Sequence, residues 1–118
     1  MEIKYRIWVE EDEKVLFGKG RENLFEAIEE CQSLNKAAKK LGMSYRAAWG
    51  RLKASEERLG IKLVRNRPDH KGMDLTDEAG EILEKFRELE CETGSFIEKT
   101  ARRLGLLSLM KSEKTDKS

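Results

Sequence analysis

Residues 33–60 read SLNKAAKKLGMSYRAAWGRLKASEERLG. Leu34, Ala37, Ala38 and Leu41 recur at the spacing of one helical face, with Ser33 or Asn35 placed to cap the first turn. Gly42 ends that helix, because glycine enters the left-handed backbone region without a Cβ penalty. Only Met43 then intervenes before Ser44, a second N-cap candidate. From Tyr45 to Leu59, the residues Ala48, Leu52, Ser55 and Leu59 point toward a core at 4-3-4 spacing, and Gly60 stops the run. The small side chains of Ala37, Ala38, Ala47 and Ala48 let two short helices cross closely. That is the sequence form of a helix-turn-helix.

Downstream, Ile61–Val64 and Asp74–Thr76 can pair as short strands around RNRPDHKG, a segment rich in turn formers and basic residues. A basic hairpin in this place is a wing. Thr76 caps a long helix whose first turn carries Asp77 and Glu78, matching the helix dipole. Along it, Ala79, Ile82, Phe86, Leu89, Thr93, Phe96 and Thr100 follow a 3-4 alternation, the seam of a coiled coil. Dimerisation is the expectation and packing onto its own domain the alternative. Gly94, inside the helix, is expected to mark a bend or break. KSEKTDKS, from Lys111, has no apolar residue and reads as a disordered tail.

Upstream, Ile3, Tyr5, Ile7 and Val9 alternate with Lys4, Arg6 and Trp8, the period of a half-buried strand. Glu11-Asp12-Glu13 makes a turn and Val15-Leu16-Phe17 a return strand. Gly18-Lys19-Gly20 then precedes a helix with Leu24, Ala27, Ile28 and Cys31 on one stripe. The glycines lack the spacing with which a phosphate loop wraps its ligand.

The chain has 118 residues and a formal net charge of +1, and that near-neutrality is an average over unlike parts. Residues 1–32 carry −4, residues 33–73 carry +8 and residues 74–118 carry −3. A basic middle between acidic flanks is the electrostatic footprint of a polyanion-binding surface. No apolar run reaches the roughly 18–20 residues of a membrane span. Lys4 and Arg6 break what would be the apolar stretch of a signal peptide, so a cytoplasmic place is expected. Two cysteines 60 positions apart and one histidine supply neither a disulfide scaffold nor a Cys/His zinc site. No nucleophile has a paired base. Neither enzyme nor cofactor is expected.

The chemistry concentrates in the second helix of the pair. A helix in the major groove reads base edges from its N-terminal end, which here offers Ser44, Tyr45, Arg46 and Ala47, then Gly50 and Arg51. Arg46 and Arg51 have the fork that grips guanine O6 and N7. Lys53 suits a phosphate, and Ala47 and Gly50 keep the helix slim at the groove floor. Ser44 either caps the helix or touches phosphate. Trp49 shares a face with Tyr45 and is expected in or partly in the core, with stacking on the backbone as the alternative. On the wing, Arg65, Arg67 and Lys71 can reach the minor groove or its phosphates, while His70 reads as a solvated loop residue.

These residues resemble a known family. Ala37-Ala38-x-x-Leu41-Gly42-x-Ser44-x-x-Ala47, with Leu52, Leu59-Gly60, Leu63 and Leu75-Thr76-x-Glu78-Ala79-Gly80, is similar to the winged helix-turn-helix of LysR-type regulators. The strand pair before the first helix, the run SYRAAW and the Leu-Thr that leads into a long helix narrow the likeness to the N-terminal DNA-binding domain of ModE-type, molybdate-responsive regulators. The resemblance implies a homodimer on a near-palindromic duplex, joined largely through the long helix, where the seam read from spacing offers Ala79, Ile82, Phe86, Leu89 and Phe96. In that family molybdate-binding domains follow the long helix. The sequence given stops at Ser118, so no small-molecule effector is assigned to it. The expected protein is mainly α with small β. It has a winged domain with N-terminal strands (1–76), a dimerisation helix (77–110) and a tail (111–118). Its partners are double-stranded DNA and a second copy, without a membrane. A protein-interaction or heterodimerising module on the same fold is the other reading.

Overall fold

The computed structural model describes residues 2–67 and 72–115. The chain divides into two compact units, one of residues 7–85 and one of residues 1–6 with 86–118.

In the first unit, β1 (Val9–Glu11) and β2 (Lys14–Phe17) form an antiparallel hairpin. Its turn residues Asp12 and Glu13 both have positive φ, 51° and 66°. The strand expected over residues 3–9 is thus only its last residue and two more. The physical reason is the partner: β2 is four residues long, and residues before Val9 have no strand to pair with. Trp8 instead lies exposed, its Nε1–H donating to the Glu10 carboxylate at 2.7 Å.

Three helices follow: α1 (Lys19–Cys31), α2 (Leu34–Lys40) and α3 (Tyr45–Leu59). α1 packs on both others, burying Leu24, Phe25 and Ile28 against Ala37, Ala38, Ala48 and Leu52. Phe17 closes the core edge-on to Phe25, with ring centroids 5.1 Å apart. Arg21 crosses from α1 to α3 to donate to the hydroxyl of buried Ser55 at 2.9 Å.

The wing is β3 (Val64–Asn66) and β4 (Met73–Leu75), antiparallel, with Arg65 opposite Asp74. Thr76 ties its end down three ways. Its amide reaches the Leu63 carbonyl, its hydroxyl donates to the Lys62 carbonyl at 2.7 Å, and that oxygen accepts from the Ala79 amide as an N-cap. The long helix α4 (Asp77–Leu104) begins there. Ala79 and Leu83 are fully buried at its start.

In the second unit α4 runs on through Gly94 without a break. Tyr5 lies against Gly94 and donates its hydroxyl to the Glu90 carbonyl at 3.1 Å. A side chain at 94 would occupy the place of that hydroxyl, so the glycine serves close approach rather than a bend. The break falls at Gly105, whose φ of 68° stops the helix. α5 (Leu106–Thr115) then extends into the segment expected to be a disordered tail. The leucine-rich start of α5 supplies the apolar residues that the tail itself lacks.

Candidate nucleic-acid interface

The turn between α2 and α3 is built by caps. Ser33 accepts the Lys36 amide at 3.2 Å to start α2. At its end Gly42 takes φ 70°, and the Met43 amide turns back to the Ala38 carbonyl at 2.9 Å. Ser44 accepts the Ala47 amide at 3.1 Å and starts α3. The Ser44 oxygen is therefore a cap first. Its hydroxyl hydrogen is left for another acceptor.

With Ala48, Leu52 and Ser55 turned inward, the first turns of α3 present Tyr45, Arg46, Ala47, Gly50 and Arg51 to solvent. The side chains of Arg46 and Arg51 make no hydrogen bond or ion pair among the described residues, nor do those of Lys36 and Lys39 of α2. Lys40, by contrast, is engaged by Glu30 of α1, and that hydrogen bond raises its pKa. Arg46 and Gly50, four residues apart, share one face of α3, and Arg51 lies a further 100° round the helix. A Cβ added at Gly50 would meet no atom within 4 Å.

Lys53 is half-engaged. Its ammonium is 3.2 Å from Glu56 and 4.5 Å from the centroid of the Trp49 ring. Glu56 also accepts the Leu63 amide at 2.9 Å, which joins α3 to the root of the wing. Partial burial pushes the Glu56 carboxyl up, but the Leu63 amide and the Lys53 ammonium outweigh it and hold the group below its ordinary value.

Trp49, expected in or partly in the core, is at most partly covered: it is 41% exposed, with Tyr45 on the same face at 52%. Position 49 falls one residue past the buried Ala48, just off the inward stripe, and the ring stays in water under a cation. Wing arginines are less free than their composition suggests. Arg67 is clamped between Gln32 (2.7 Å) and Asp74 (3.4 Å), and Arg65 lies 3.9 Å from Asp77. Gln32 further accepts the Met73 amide on its carbonyl. The Glu56–Lys53 spacing of i, i+3 is visible in sequence, whereas the Gln32–Arg67 clamp spans 35 residues and is not. Pro68, Asp69, His70 and Lys71 lie outside the described residues.

On α4 the expected seam divides. Ala79 and Phe86 are buried within the chain, while Leu89 (47%) and Phe96 (68%) are exposed and Ile82 is intermediate. Leu104, on the same stripe, is exposed as well. Cys91 is free and exposed. Among the described residues no helix is long and apolar enough to cross a membrane.

Residues 23–80 match the family described as bacterial regulatory helix-turn-helix protein, lysR family. The molybdenum transport protein ModE of Azotobacter vinelandii is 35% identical over 88 residues, covering 71% of this chain. The alignment takes in 32% of ModE, so the chain spans about a third of that relative. The fold is similar to the DNA-binding domain of CbnR in complex with DNA, with a TM-score of 0.54, 26% identity and coverage of 72% of this chain and 97% of that one. It is also similar to the BenM DNA-binding domain on benA site 1 DNA, with a TM-score of 0.55, 25% identity and coverage of 70% and 91%.

Proposed function

We propose, from the match of residues 23–80 to the family described as bacterial regulatory helix-turn-helix protein, lysR family, that the chain is a sequence-reading, homodimeric regulator of transcription with ModE-like specificity. The coarse assignment, a DNA-binding domain of a transcription regulator rather than an enzyme, follows from the family. The observation that carries the finer reading is the pair of guanidinium groups, Arg46 and Arg51, that have no partner among the described residues and stand on the exposed first turns of a capped helix.

In this reading Arg46 and Arg51 grip base edges, with Ala47 and Gly50 at the groove floor and the exposed Tyr45 stacking against sugar and backbone. Ser44 and Lys53 meet phosphates. Arg65, Arg67 and Lys71 serve the wing, and the Gln32–Asp74 clamp sets Arg67 to support the hairpin more than to reach out. A second copy pairs along the seam of Ala79, Ile82, Phe86, Leu89 and Phe96. Ala79 and Phe86 back it from inside and the exposed members meet the partner. A two-fold dimer then calls for a near-palindromic duplex. The likeness to ModE supports a molybdenum-related set of genes.

Arg46→Ala tests the reading against duplexes selected from a random pool and against scrambled ones. Loss of one bidentate contact is worth about 1–3 kcal/mol of discrimination. The selected duplex should lose at least five-fold in affinity and the scrambled one much less. Equal losses on both refute base reading by Arg46.

A further inference from the structure

Trp49 and its surroundings are not explained by folding alone. An indole left 41% exposed in mid-helix keeps apolar surface in water. Yet it is held in place: the Lys53 ammonium lies over its ring at 4.5 Å, Lys53 is tied to Glu56, and Glu56 to the Leu63 amide at the wing root. A ring fixed in this way loses little freedom when it meets a partner.

Its neighbours say what the partner is. Arg46 stands one turn before it and Lys53 one turn after it on the same face, Gly50 next to it in sequence has open space where a side chain would stand, and the segment 33–73 carries +8. A polyanion fits that setting and an apolar protein surface does not. In the major groove the base edges present donors and acceptors with one apolar exception, the 5-methyl of thymine, which sits next to the O4 acceptor. An indole offers the complementary pair, an apolar face and a single N–H donor.

We propose that Trp49 is a specificity-determining residue that reads the 5-methyl group of a thymine in the major groove, a role that rests on the DNA-reading function above.

Replacing thymines one at a time by deoxyuridine in a selected duplex removes only that methyl. Wild-type binding should weaken about four-fold at one position in each half-site, the equivalent of one buried methyl. In Trp49→Ala the thymine-to-uridine ratio at that position should collapse to one, while Trp49→Phe retains part of it. Trp49→Ala should still fold, with its melting temperature lowered by loss of the covered part of the ring. Should it not, the same contact is read without touching position 49: in a Trp8→Phe background Trp49 is the sole tryptophan. Its emission should then differ between the thymine and uridine duplexes. The inference is overturned if no thymine discriminates, or if Trp49→Ala keeps the wild-type ratio; in both cases the ring rests on sugar or backbone. Selective binding that survives such a result leaves the regulator reading intact. No preference for any duplex overturns both.

Discussion

Gly50→Ala separates a residue kept for folding from one kept for binding. Gly50 lies inside α3 with negative φ, so alanine fits its backbone. The new methyl would meet no atom within 4 Å, so no clash offsets the gain in helix propensity. Replacing glycine by alanine at such a site stabilises by about 0.5–1 kcal/mol, largely by restricting the unfolded chain. For a domain of this size that raises the melting temperature on the order of 4 °C, measured calorimetrically at fixed protein concentration. Binding should move the opposite way. If the bare backbone at Gly50 meets the groove floor, a methyl there holds the helix off and weakens the selected duplex about ten-fold, or about 1.4 kcal/mol, by fluorescence anisotropy. A variant that is stabilised and binds normally refutes the close approach. One that is destabilised refutes the packing argument itself.

Phe96→Glu places a charge on the exposed stripe of α4, where Phe96 is 68% exposed. The folded protein should persist and sediment as a monomer, and an unchanged dimer refutes the seam. Glu56 gives a pH signature. Its folded pKa lies below the ordinary 4.5. The stability it contributes is therefore full above about pH 4.5 and is lost as pH falls through the lower folded value. Urea unfolding of Glu56→Gln, which keeps an acceptor for Leu63 but cannot titrate, should show a shallower loss over that acid range. Gly94→Ala should displace the Tyr5 hydroxyl from Glu90. The lost hydrogen bond and the gained helix propensity are each worth about 1 kcal/mol. Stability should stay nearly level while residues 2–6 become open to protease; continued protection of that segment contradicts the contact.

What was legible in the sequence is what short-range chemistry specifies. Ser33, Gly42, Ser44 and Gly60 each act on their own turn, so the bounds of α2 and α3 could be read from them, and Thr76 likewise. The period-2 pattern of residues 3–9 failed because a strand needs a partner and β2 is too short to supply one. Tyr5 finds its contact 85 residues away instead. Gly94 and Gly105 are the same letter in one helical run. Only the fold shows that the first makes room for an aromatic ring and the second takes the left-handed turn. Trp49 sits at the boundary of an inward stripe, where a single step of 100° decides between core and solvent.

The wing root is fastened at two points: by Gln32, through Arg67 and the Met73 amide, and by Glu56, through the Leu63 amide. The base of the wing and the recognition helix therefore keep a preset spacing, like the jaws of a fixed gauge. On the proposed DNA-binding reading, a duplex whose major and minor grooves do not match that gauge has to bend or twist to be held, at an elastic cost that depends on its base steps. On that same reading, operator positions that no side chain touches influence affinity through the stiffness of the DNA.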